Sequence, residues 1–256
     1  TLMETTLENI EFEAGGLNHF SILLRAKYKN SGEDGYPFIK KNFSKYYSNL
    51  VNDHEGFFSN AGAERGLFFE LFKQYGYLPI TTDSHLGEYL SWAYNVVDHD
   101  GILDFYDKYK KRCLSFYSND GYDQFFDMSH PDPHERAIPI IESIVDDSNM
   151  IEHAVNIKND NFINCLPNDI VVEVPATINK TGVHGKALED YPNSFGALLN
   201  SQVGTIQLTT NAILNKSKQV AKYALLADPV VGNSNAVESL LDTMIEFQKE
   251  YLGYLN

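Results

Sequence analysis

The sequence predicts an α+β fold, with helices around a small mixed or antiparallel sheet. Three observations carry this. Apolar residues recur at helical spacing over residues 67–75 and again over 237–252. Strand-like runs gather in two places, residues 9–28 and 154–174. Regular βαβ alternation is missing, which argues against a doubly wound parallel sheet. At 256 residues the chain is long enough for a sizeable core. Its Tyr 16 and Phe 16 are too many for a solvated, disordered segment.

Residues 9–14 alternate apolar and polar with period two, which predicts a strand. Gly15 and Gly16 follow, where a bend is expected because neither carries a Cβ. Residues 21–28 read as a second, more buried strand, and 30–35 as a loop. From Pro37 onward the pattern turns helical. Leu67, Phe68, Leu71, Phe72 and Tyr75 form one stripe on a helix ending near Gly76. Leu103, Phe105, Tyr106 and Tyr109 mark another helix after Gly101. Residues 117–133, rich in Asn, Asp, Gly and Pro, predict a long surface loop, followed by a helix over 134–145. Short strands are expected at 154–157, 162–163 and 170–174, the last ended by Pro175 and the 179–182 turn. Val237, Leu240, Leu241, Met244, Ile245, Tyr251 and Leu252 then hold a 3/4 spacing over the tail.

Composition narrows the function classes. Lys+Arg 20 against Asp+Glu 35 gives a formal charge of -15, a field that repels nucleic acid and anionic lipid. No apolar run reaches the roughly 20 residues of a membrane span. No signal-peptide pattern opens the chain, so a cytoplasmic protein is expected. Cys113 and Cys165 are too few for a disulfide framework and lack C-x-x-C spacing. They read as small apolar residues. No dinucleotide or P-loop glycine motif occurs, and no G-x-S-x-G or H-E-x-x-H.

Two polar clusters stand out. In Gly16-Leu17-Asn18-His19-Phe20 a turn presents an amide and an imidazole at a strand end. A neutral His can ligate a divalent ion, and Asn both donates to and accepts from sugar hydroxyls. A structural His closing the turn fits the same spacing. In Asp83-Ser84-His85-Leu86-Gly87-Glu88-Tyr89 an ordinary helix start competes with a loop aiming two carboxylates and an imidazole into one cleft. Arg65 and Arg136 suit a substrate carboxylate, though an Arg at such a place is more often solvated or in a surface ion pair.

Several ordered blocks resemble the family 4 glycoside hydrolases. Residues 14–20 are similar to the family's A-G-(I/L)-N-H-F segment, and 83–89 to its D-x-H-x-x-E-(Y/F) region. Glu135-Arg136-Ala137-Ile138-Pro139-Ile140-Ile141 resembles the E-R-x-x-P-I-I helix. Residues 164–176 (NCLPNDIVVEVPA) resemble the most specific block, N-L-P-x-D-x-V-V-E-V-P-A. Ala224-Leu225-Leu226-Ala227-Asp228-Pro229 matches the closing A-L-x-x-D-P.

The resemblance implies a substrate domain of the lactate-dehydrogenase C-terminal type, spanning residues 1–256. The N-terminal Rossmann domain that holds NAD is absent from this chain. It implies hydrolysis of an α-galactoside or α-galacturonide by an NAD- and Mn2+-dependent route, the exception to the two-carboxylate mechanism. C3 is oxidised, the C2 proton is removed by a base, and the glycosidic oxygen leaves; water adds, and the hydride returns. A divalent ion acts as Lewis acid on the sugar oxygens. Carried over by residue, His19 is the metal ligand and Asn18 its neighbour on the sugar hydroxyls. Asp83 is the C2 base, with Tyr89 the alternative. His85 and Glu88 are substrate groups, and Arg65 or Arg136 the contact a galacturonide needs. The family's Cys metal ligand, in a G-x-C motif, would lie before Thr1, so the isolated chain is expected to be inactive and without cofactor. A small sugar and a homo-oligomeric partner are expected, and neither nucleic acid nor membrane. The alternatives are a non-catalytic truncated module for sugar binding or oligomerisation, and a self-sufficient hydrolase using Asp83 and Glu88.

Overall fold

The computed structural model describes residues 2–52, 65–118 and 136–255. Strands β1 (Ile10–Leu17) and β2 (Phe20–Tyr28) form a hairpin. Helices α1 (Tyr36–Asn52) and α2 (Gly66–Tyr75) follow, then the short β3 (Leu78–Pro79) and one helical turn, α3 (Asp83–Leu86). A long helix α4 (His99–Ser118) and α5 (Ala137–Asp146) lead to β4 (Met150–Lys158), β5 (Val171–Asn179) and β6 (Gly182–Gly185). The chain closes with α6 (Asn193–Leu214), α7 (Lys218–Ala227), α8 (Val237–Phe247) and α9 (Lys249–Leu252). Among the described residues the strands form one antiparallel sheet in the order β3-β2-β1-β5-β4, with β6 pairing β5. The fold is α+β, as expected.

Four details differ from the sequence expectation. Gly15 and Gly16 do not bend the chain; β1 runs through them, and the turn comes at Asn18–His19. Glycine is needed at 15 because a Cβ there would lie 2.4 Å from Leu188 Cδ1 and 2.6 Å from the Glu173 carbonyl oxygen. Phe162 and Ile163 lie in a loop, with Ile163 buried in the core. Pro175 does not end β5. It lacks an N–H for the ladder, and β4 answers with a bulge in which His153 and Ala154 oppose Pro175 alone. The tail is two helices, broken at Gln248. The expected 117–133 loop begins inside α4, and the rest of it lies outside the described residues, as do His134 and Glu135.

One core lies on the sheet face formed by Phe20, Ile22, Val172 and Val174, closed by Leu67 and Leu71 of α2 and by Phe195, Leu199 and Val203 of α6. A second gathers Tyr36, Ile39 and Phe43 of α1 with Phe72 and Leu78. The first core holds the β1–β2 turn, the segment after β3 and α6 against one another. That junction is where the polar clusters meet.

Candidate functional site

The β1–β2 hairpin closes with Leu17 opposite Phe20, leaving Asn18 and His19 exposed at its tip. His19 adopts φ 59, a left-handed conformation that is uncommon for a non-glycine residue and concentrates at functional positions. Facing it is His85 of α3, with ring centroids 4.1 Å apart. Two predicted residues, 66 positions apart by number (85 − 19), thus meet. Among the described residues no group of three or more His, Cys, Asp and Glu gathers as a metal site would require.

Asp83, the expected base, has a different place. Its side chain is 0% exposed. Oδ2 accepts from the Leu67 N–H at 2.8 Å and Oδ1 from the Phe68 N–H at 2.9 Å, with the Asp98 N–H at 3.3 Å. The first amides of α2 have no intrahelical partner, and this carboxylate satisfies two of them from across the fold. Burial pushes the Asp83 carboxyl up, against the three amide bonds and Arg65, which pull it down. Asp83 therefore ties the 83–89 segment to α2.

Tyr89 is half-buried and stacked on Phe20, ring centroids 4.9 Å apart and planes 19° from parallel. Burial raises its phenol, and the Glu88 carboxylate raises it further. Tyr89 and Asn18 line one cavity of ≈ 680 Å³ between the hairpin, β4, the start of β5 and α6. Its other polar walls are Asn156, Asp169, Gln202, Gln207, Thr210 and Asn211, over Leu17, Ile170 and Ile206. None of these lining residues is cationic. Gln207 Nε2 lies 3.1 Å from both Asp169 carboxylate oxygens. Gln202, 4% exposed, donates from Nε2 to the Tyr89 carbonyl at 3.0 Å.

The remaining expected residues lie elsewhere. Glu88 is exposed and borders a separate ≈ 270 Å³ cleft with Asp83, Ser84, Tyr94 and His99. Arg65 donates to the Thr81 carbonyl at 3.3 Å and lies over the Phe68 ring. Arg136 bonds through Nε at 2.9 Å to Glu152 of β4, a largely buried carboxylate. The cavity walls on α6 carry no role in the sequence expectation. Gln202, Gln207 and Asn211 are ordinary polar residues until α6 folds against β4.

The sequence pattern of the Family 4 glycosyl hydrolase C-terminal domain matches residues 14–231. The chain belongs to family 4 of the glycosyl hydrolases. This family 4 chain is 38% identical, over an alignment of 281 residues, to the alpha-glucosidase of Erwinia rhapontici, covering 99% of the chain and 59% of that relative. It is 23% identical to the alpha-galacturonidase of Thermoanaerobacter italicus, over 98% of the chain and 57% of the relative. Its fold matches the 6-phospho-alpha-glucosidase from gut microorganisms solved with NAD and Mn2+, at TM-score 0.70, 22% identity and 97% coverage of the chain against 57% of that structure. The 6-phospho-beta glucosidase of Thermotoga maritima, solved with NAD and glucose-6-phosphate, gives TM-score 0.63 at 22% identity, over 97% of the chain and 57% of that structure. At that identity the likeness is one of fold. The family 4 chain spans less than two thirds of the length of each of these relatives.

Proposed function

We propose that this chain forms the substrate-binding and catalytic part of an α-glycosidase acting on a neutral hexoside, together with an NAD-binding domain that precedes it in the whole protein. The observation that carries the reading is the cavity where, among the described residues, Asn18 and Tyr89 face carboxamides and no cationic side chain, in a chain of this family. A uronate or a sugar phosphate calls for a fixed cation, and neither Arg65 nor Arg136 lines this cavity. The alpha-glucosidase name of the 38% identical relative supports a neutral α-glucoside. The α-galactoside expected from the sequence is equally neutral; the α-galacturonide is not.

His19 and His85 offer imidazole donors of the type a divalent transition ion takes, and the remaining ligands would come from outside the described residues. When bound, NAD and the ion supply a hydride acceptor and positive charge at the sugar oxygens. The chain's own residues do the rest. The Asn18 carboxamide donates to and accepts from ring hydroxyls. The Tyr89 oxygen takes the C2 proton, its ring held in place by the Phe20 stack. Asp83 positions the segment that carries His85 and Tyr89. The raised Tyr89 phenol keeps its proton at neutral pH, so its use as a base depends on a neighbouring cation to draw it down.

The test is turnover of an aryl α-glucoside by the full-length protein supplied with NAD and Mn2+. Tyr89→Phe is expected to lower kcat by about 10²–10⁴, the usual worth of a positioned acid–base group, with little change in KM. A C2-deuterated substrate should react more slowly in the wild type. Unchanged cleavage after complete removal of nucleotide overturns the reading.

A further inference from the structure

Ser21 of β2 and Glu173 of β5 both stand opposite Gly16 of β1, one on each side of that strand. Both side chains point to the sheet face away from the first core, since Phe20, Ile22, Val172 and Val174 beside them point into it. The outer two of three strands lie about 9.5 Å apart. Ser21 Oγ nevertheless reaches Glu173 Oε1 at 2.6 Å, over the top of β1. Glycine leaves that space clear, and a Cβ at Gly16 would lie 2.4 Å from the Phe20 carbonyl oxygen and 2.8 Å from Ser21 Cα.

The bond lies directly beneath the hairpin turn. Ser21 Oγ is also 3.3 Å from the carbonyl of Leu17, the last residue before the turn. The hydroxyl's one proton is thus shared with a carboxylate at the shorter distance and with the turn's own backbone. Asn18 and His19 follow, and His19 holds φ 59. A non-glycine residue stays in the left-handed region only where its surroundings over-determine it. On the core side Phe20 is held by Tyr89 and Phe195, with ring centroids 4.9 and 5.3 Å away. Ser21, 2% exposed, supplies the hold on the other side. A small apolar residue would fill position 21 without the cost of desolvating a hydroxyl and a half-buried carboxylate. What the bond adds is direction, because a charge-assisted O–H···O bond is short and fixes the geometry of its partners.

We propose that Ser21 and Glu173 are positioning residues, a brace across β1 that holds the turn so that Asn18 meets the sugar and His19 the divalent ion. The brace rests on the glycosidase reading above and acts only through the backbone of residues 17–20. Neither side chain lines the cavity.

The test is Mn2+ titration of the full-length protein supplied with NAD, read from the paramagnetic resonance of the free ion. KM and kcat for the aryl α-glucoside and a urea midpoint are measured beside it. Ser21→Ala and Glu173→Ala should each weaken Mn2+ affinity and raise KM by about threefold to tenfold, the worth of one hydrogen bond. The double variant should lose no more than either alone, because both substitutions remove the same bond. Glu173→Gln keeps an oxygen for the Ser21 hydroxyl and should lose less than either alanine variant. A bond that serves stability alone would lower the urea midpoint with Mn2+ affinity and KM unmoved, and that result overturns the brace. Additive losses in the double variant overturn it too, as does a wild type that binds no Mn2+. The reading beneath it fails separately. Mn2+ affinity lost in the variants of a protein that never turns over the glucoside sinks the glycosidase and leaves the brace.

Discussion

Asp83 and Tyr89, the two residues the sequence offered as the base, have different surroundings. A carboxylate with both oxygens on backbone amides and no exposed surface stabilises the junction of α2 and α3. Asp83→Asn keeps the shape but turns an NH2 toward at least one N–H donor. It should cost about 1–3 kcal/mol in a denaturant titration, the penalty for a buried unsatisfied group. Loss of turnover with full stability would restore Asp83 as the base. Glu13 shows the opposite balance. Burial would raise its carboxyl, but hydrogen bonds from Lys186 and Arg25 outweigh it and hold it below its ordinary 4.5. With the folded value depressed, the stability Glu13 contributes is present above pH 4.5 and is lost as pH falls through the lower folded value. Glu13→Gln should therefore flatten the acid limb of the Tm profile below about pH 5.

At the scale of elements, two glycines give a paired test. A methyl group at Gly15 meets Leu188 and the Glu173 backbone, so Gly15→Ala should cost about 1–3 kcal/mol through overpacking. Gly204 sits inside α6 with nothing within 4 Å of where a methyl group would sit, so Gly204→Ala should stabilise by about 0.5–1 kcal/mol. Urea midpoints for the two variants should shift in opposite directions. Most elements were legible from periodicity: β1, β2, α2 with its left-handed Gly76, and the 179–182 turn all follow local patterns. The longest miss is α6. Gly196, Gly204, Thr205, Thr209 and Thr210 dilute its helix propensity, and only packing of Phe195, Leu199 and Val203 into the core makes it a helix. Pro175 misled for a related reason: a strand is expected to stop at proline unless its neighbour bulges, and the neighbour is not local in sequence.

Across the whole molecule, Asp and Glu outnumber Lys and Arg by 35 to 20, a formal charge of -15. Lys218 and Lys222 of α7 meet Glu238 and Asp242 of α8, but these partners are half-exposed and contribute little in salt. Raising ionic strength from about 0.01 M to 0.15 M, where the screening length falls from about 30 Å to 8 Å, should raise Tm by relieving self-repulsion. A scan in salt against one in an uncharged osmolyte checks this. Among the described residues no helix is long and apolar enough to cross a membrane.

The sequence by itself determined the α+β class, the hairpin that presents Asn18 and His19, and, through ordered blocks, the family. These depend on local periodicity, turn chemistry and motif spacing, each contained within a few neighbouring residues. The tertiary structure decided which candidates share a surface. It set His19 against His85, sent Asp83 to cap α2 and Arg136 to Glu152, and made a cavity wall of Gln202 and Asn211. Those outcomes turn on contacts between residues from 16 to nearly two hundred positions apart. A side chain's chemistry is written in its type, but whether its lone pairs are free is settled only by what folds against it.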